Sequence, residues 1–281
     1  MTSSLMPETE AELYFMRIKW PSGYHCPRCG FTLNYVIHTR RLPLYQCRAC
    51  RHQTTLLSGT IMKKSRTPLS KWAAALQLMS ETKSVNAVQL AKIIRVIYKT
   101  AWLMLHKIRK AISAASMLQP LCDTVRVRLL FYGSPNLQPY VRHPQEHPVL
   151  VAEGETKSGN PSFMKIVRIP LRDMNQKSLL PAGEARFVLQ HIHDNAAYSG
   201  LLPRFRLREE PILWDTFRQA RTWLNRTFHG IGAKYQQSYW DEFCFRRNFS
   251  FQGVSILHVL TAFCVTKGQY KPAYIPLGYS A

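Results

Sequence analysis

The sequence predicts a multidomain α+β protein, and three observations carry that reading. Two C-x2-C pairs lie near the amino terminus, a basic helical stretch follows them, and strand-like alternation begins near residue 124. The 281 residues are enough for one large core or two to three small ones, and 46% hydrophobic content argues for a folded chain. Thirty-eight Lys+Arg against sixteen Asp+Glu leave a formal charge of +22, which predicts a polyanionic partner. Residues 1–112 hold 18 basic and 4 acidic side chains against 20 and 12 in residues 113–281, so the amino-terminal part is the expected grip.

Residues 8–18 carry helical spacing with an acidic first turn, and Pro21-Ser22-Gly23 ends them. Cys26 and Cys29, then Cys47 and Cys50, follow with seventeen residues between the pairs. A C-x2-C turn aims two thiolates at one point, and two such turns close a tetrahedral shell. Paired disulfides or four buried thiols are the competing readings; the flanks HCPRCG and YQCRACRHQTT favour a structural zinc ribbon over residues 20–61, with short strands at Tyr45-Gln46 and Gln53–Leu57. With four protein ligands no position is open for water, so this metal builds a fold and does not catalyse. His25 and His52 border the knuckles and are left out of the shell. Three further cysteines unpaired by spacing suit a reducing compartment.

Pro68 opens a helix, PLSKWAAALQLMSE. Residues 86–113 read as two helices with a break. The first has Val88, Leu90, Ile93 and Ile94 as its apolar set. The second turns Ala101, Leu105, Ile108 and Ile112 inward and Lys99, Lys107, Arg109 and Lys110 outward. A short helix, a turn and a basic second helix describe a helix-turn-helix, although Arg95 stands where glycine would ease the turn; an ordinary helical hairpin is the other reading. Lys63, Lys64 and Arg66, between ribbon and helices, are expected phosphate contacts.

From residue 124 the pattern changes. Strands are expected at 125–132, 149–155, 163–170 and 185–194, and helices at 211–226, 234–247 and 254–266. An RNase H-like sheet with flanking helices has this order, as do other α/β and α+β arrangements. The start shows no secretory signal pattern, and the most apolar stretch, 254–266, is shorter than the roughly 20 residues that cross a bilayer. A soluble, cytoplasmic, nucleoid-associated protein is expected. The domain boundaries follow as 1–61 (helix and ribbon), 62–113 (helix-turn-helix), 120–250 (α/β domain) and 251–281 (closing helix and tail).

The stretches RTPLSKW (66–72), VQLAKIIRVIYKTAWLMLHKIRKAI (88–112), HIHDNAAYSGL (191–201), TWLNRTFHG (222–230) and YWDEFCFRRN (239–248) occur in the order found in one family. They resemble bacterial insertion-sequence transposases of the ISXO-type group, which join an N-terminal zinc ribbon to a DDE-type RNase H-like domain. The resemblance implies double-stranded DNA at element ends as partner, an oligomer holding both ends, and Mg2+ as cofactor. It implies DNA transposition by hydrolytic cleavage and transfer of the freed 3′-hydroxyl. The first acidic place of the family falls on Arg128, with Leu129 beside it. The second falls on Asp194, followed by Tyr198. The third falls on Gln219, with Arg221 and Trp223 after it. A guanidinium repels Mg2+, so the expectation is an impaired transposase-family protein that still binds DNA, or a non-catalytic repressor or co-opted regulator. An RNA-binding reading is poorer, because no aromatic-rich RNP-like strand is visible. Glu153 and Glu155 are the acids placed to substitute. Asp241 and Glu242 sit on a helix where Arg246 or Arg247 is the expected mate. His191 and His193 flank Asp194 and would share one strand face.

Overall fold

In chain order the elements are α1 (Glu8–Lys19), β1 (Asn34–Ile37), β2 (Leu44–Cys47), β3 (Gln53–Thr55), α2 (Leu69–Ser80), α3 (Ala87–Ile93) and α4 (Tyr98–Met117). There follow β4 (Thr124–Tyr132), β5 (His147–Glu155), β6 (Pro161–Arg168), β7 (Met174–Asn175), β8 (Ser178–Leu179) and α5 (Pro181–His191), then β9 (Ala197–Leu201), α6 (Pro211–Phe228), α7 (Gln236–Ser250) and α8 (Ile256–Val265). A computed structural model describes residues 5–38, 41–133, 140–155, 161–201, 211–250 and 254–266. The chain forms two units, one of Met1–Ala115 with Val254–Pro276, the other of Ser116–Gly253 with Leu277–Ala281. The closing helix α8 falls in the first unit. No helix among the described residues is long and apolar enough to cross a membrane.

In the first unit α1, α2 and α8 pack on one another, burying Phe15, Trp72, Leu76, Leu260 and Phe263. Tyr14 and Thr261 share a hydrogen bond of 2.9 Å, and the Ile61 amide donates to the Cys264 carbonyl at 3.0 Å. Pro68 caps α2 without a side-chain bond. The orphaned amides of Leu69 and Ser70 donate instead to the Glu8 carboxylate, at 2.8 and 2.9 Å. A carboxylate from the first turn of α1 thus caps α2 and suits its positive end.

Asn86 caps α3 with a reciprocal capping box through Gln89. Leu90 and Ile94 are buried as expected, but Val88 and Ile93 are about half exposed, at 51% and 49%. A seven-residue helix has one narrow inward face, and Leu90 and Ile94, four apart, fill it. Arg95 takes φ 53°, the left-handed conformation, while the Val96 amide reaches back to the Ala91 carbonyl at 3.1 Å. This is a glycine-type helix stop made with arginine. In α4 the inward set is as expected, with one correction. Arg109 is buried at 3% exposure, because it lies four residues after Leu105 and three before Ile112, inside the apolar stripe.

The second unit centres on a four-stranded sheet of order β6-β5-β4-β9, with β4 antiparallel to β5, β5 antiparallel to β6, and β9 parallel to β4. Leu130, Tyr132, Val149, Val151, Met164 and Ile166 face a core completed by α6 and α7. The expected strand over 185–194 is absent, and most of that segment is α5. Pro181 at the first helical position and Glu184 in the first turn start a helix, and Phe187 and His191, four apart, form its buried face. Ile192 alone makes a parallel bridge, to Leu121, and the paired strand is the later β9.

Strand β6 is an edge whose outward backbone groups are met by one stripe of α7. Asn248 brackets Met164, accepting from its amide and donating to its carbonyl, both at 3.0 Å. Gln237 donates to the Ile166 carbonyl at 2.9 Å and accepts from the Arg168 amide at 2.7 Å. Asp241 accepts from Gln237 at 2.8 Å.

Two stability outcomes follow. Arg95→Gly removes the cost of a left-handed non-glycine residue and should raise unfolding free energy by about 1 kcal/mol in urea titration. Asn248→Asp keeps an acceptor for Met164 but leaves its carbonyl unanswered and buries a charge; a loss of about 2–3 kcal/mol is expected by the same measurement.

Candidate zinc centre and nucleic-acid interface

The two knuckles are copies of one local design. In the first, the Cys26 amide donates to the Phe31 carbonyl and the Gly30 amide to the Cys26 carbonyl, at 3.0 and 2.9 Å. In the second, Cys47 and His52 pair at 3.0 Å and the Arg51 amide donates to the Cys47 carbonyl at 3.1 Å. The residue after the second cysteine is left-handed in both, Gly30 at φ 76° and Arg51 at φ 55°. Strands β1, β2 and β3 pair antiparallel and hold the knuckles against each other.

The four sulfurs lie within 4.8 Å of one another, and among the described residues theirs is the group with metal-site geometry. The Cys26–Cys50 and Cys29–Cys47 separations are 3.6 Å and Cys29–Cys50 is 3.4 Å. Zinc at about 2.3 Å from tetrahedral sulfurs sets them about 3.8 Å apart, so the cage fits that ion with little adjustment. All seven cysteines are free thiols, which removes the disulfide reading. Burial pushes the Cys26 thiol up, but the Arg28 and Cys29 amides outweigh it and hold it below the ordinary value. His25 turns away, with Nδ1 2.7 Å from the Gly23 carbonyl.

One side of the cage rests on a small apolar cluster of Tyr24 and Tyr45 with Met16 and Trp20. Trp20 lies 5.3 and 5.0 Å from the two tyrosine rings, edge-on. Lys19 was not singled out in the sequence, yet it ties α1 to the turn after β3. Its Nζ donates to the carbonyls of Thr55, Leu56 and Ser58 at 3.2, 2.7 and 2.5 Å. Burial lowers its pKa to about 8. A lysine just before a Trp-Pro helix end was the available signal.

Lys63, Lys64, Arg66, Lys99 and Lys110 are exposed, and Lys107 is half-buried. Lys99 and Lys110 stand on α4 and Lys63, Lys64 and Arg66 on the loop before α2. Arg109 is withdrawn from this surface by its burial.

In the second unit Arg128 is buried at 2% exposure, on the β4 face shared with Leu130 and Tyr132. Gln219 is exposed and Arg221 half-buried on α6. Asp194 is exposed after α5, in an open cleft of about 600 Å³ that Glu184, Val188, His193 and Tyr198 also line. Tyr198 donates to Glu184 at 2.5 Å. Thr124 pairs with Ala197. Asp194 precedes that pair, while Arg128 lies about 13 Å beyond it along β4 at the usual strand rise. The two family positions are therefore not brought together. Glu153 is bound by Arg247 at 3.0 Å, and Glu155 pairs with Arg126. Glu242 is buried and paired to Arg246 at 3.0 Å, the helix mate expected from sequence. With α5 helical, His191 is buried and His193 exposed, so they share no face.

Two C-x2-C knuckles on a three-stranded antiparallel sheet, with four sulfurs converging, define a zinc ribbon. Residues 6–53 match the family model described as the transposase zinc-ribbon domain, of the IS1595 type. That span includes α1, in keeping with the Lys19 tether. No curated protein and no solved structure matches the chain.

Purified protein should carry one zinc per chain by metal analysis. Stripping it with a chelator, or Cys47→Ser, should abolish the ribbon's ordered amide signals, because such sites supply on the order of 10 kcal/mol of folding free energy.

Proposed function

We propose that this chain is a transposase-related protein that binds double-stranded DNA at element ends and does not cut it. The zinc-ribbon match over residues 6–53 carries the reading. The formal charge of +22 agrees with it, since phosphate neutralisation dominates affinity for duplex DNA. In this reading α3, the Arg95 turn and α4 are a helix-turn-helix, and α4 lays Lys99, Lys107 and Lys110 along the groove. The second unit is an RNase H-like domain. The sheet order supports this: three antiparallel strands, a helix, then a fourth strand parallel to the first. An oligomer holding two ends belongs to the same reading.

The residues do not fit a pair of Mg2+ ions. Two-metal phosphoryl transfer needs carboxylates converging on ions about 4 Å apart. Here the first position is a buried guanidinium, Asp194 is displaced along the sheet, and the acids placed to substitute are bound to Arg247 and Arg126. No step through Mg2+ follows from such a set. The protein acts by occupancy, as a repressor of its element or a regulator of neighbouring DNA.

Duplex affinity should fall steeply with salt. Lys99→Ala with Lys110→Ala should flatten the log–log slope by about 2, one phosphate contact each, in anisotropy titrations. Offered DNA flanking its own gene with Mg2+ or Mn2+, the chain should leave every strand intact on a denaturing gel. Nicks that vanish in Asp194→Ala would overturn the non-catalytic reading.

A further inference from the structure

The ribbon has an outer side that the fold leaves uncovered. Phe31, Leu33 and Tyr35 are 40%, 54% and 55% exposed, on and just before the edge strand β1. Tyr35 pairs with Gln46 and so faces away from Tyr45, whose ring closes the other side of the ribbon with Trp20 and Tyr24. The second knuckle carries an arginine to the same place. The Arg48 amide donates to the Leu33 carbonyl at 3.1 Å, and its guanidinium lies 4.6 Å over the Tyr35 ring. Residues 20–61 contain five arginines and no lysine, aspartate or glutamate.

We infer that this stripe is a stacking platform for unpaired nucleic-acid bases, with Arg48 beside it on a ribbon whose Lys, Arg, Asp and Glu side chains are all arginine. Flat rings and guanidinium planes on a basic surface are what unpaired bases stack on, whatever their sequence. A duplex would satisfy the arginines through its phosphates but leave the apolar stripe wet, since its base faces are already stacked on one another. A second copy of the ribbon would set arginine against arginine, at a Coulombic cost that no acid within residues 20–61 offsets. The inference takes its polyanion from the DNA-binding reading and adds a strand class: frayed or single-stranded ends are held by the ribbon, paired DNA by α4.

The test uses the full zinc-loaded chain and two labelled probes, a mixed-sequence single strand of about 20 nucleotides and the duplex of the same sequence. Phe31→Ala with Tyr35→Ala should weaken single-strand binding at least about tenfold and leave duplex binding within about twofold. Tyr35→Phe should bind like the parent. Tyr35→Leu, which keeps apolar bulk and loses the ring, should bind single strands more weakly, with zinc content unchanged as the check of folding. Equal losses on both probes overturn the inference. So does a Tyr35→Leu variant as tight as Tyr35→Phe, or a ring-dependent change of oligomeric state in sedimentation. The two readings fail separately. If the chain holds duplex and ignores the rings, the platform is wrong. If single-strand binding needs the rings while no duplex binds, the platform stands and the reading of α4 falls.

Discussion

Four sulfurs drawn to within 4.8 Å of one another are the constraint on which the amino-terminal unit depends. As thiolates they repel; only a cation at their centre makes the cage favourable. The ribbon has three strands of three or four residues and a cluster of two tyrosines behind the cage. So little apolar surface cannot hold a domain of this size, and a metal is the usual remedy. Arg51 shows what the cage imposes, since a non-glycine residue takes φ 55° to complete the second knuckle. The Lys19 tether and the Glu8 cap then pass that order to α1 and α2.

Electrostatics divides the molecule by purpose. The ribbon's described arginines and Lys99 and Lys110 of α4 stand in water, while Arg109 is buried. In the second unit, arginines of β4 and α7 are answered by acids: Arg247 with Glu153, Arg126 with Glu155, Arg246 with Glu242. A carboxylate already neutralised by a guanidinium has little charge left to offer a divalent ion.

The sequence was most legible where local chemistry acts alone. Cysteine spacing gave the ribbon and Pro68 the start of α2. It was less legible where a pattern suits two periods. FVLQHI is rich in the strand-favouring Phe, Val and Ile, yet Pro181, Glu184, Phe187 and His191 select a helix by their spacing. Arg109 was read outward for its charge, although its position lies within the buried stripe; a long aliphatic stem lets arginine occupy such a place. Glu8 reaching Leu69, and Asn248 reaching Met164, join residues far apart in sequence and leave no local trace.

The amide stripe on α7 has a consequence for assembly. Asn248 and Gln237 take up four backbone groups of β6, on Met164, Ile166 and Arg168, that a fifth strand would otherwise bond. Along that stretch a neighbouring chain cannot extend the sheet without displacing them. Two side-chain amides from one helix thus do for this rim what a covering strand would do.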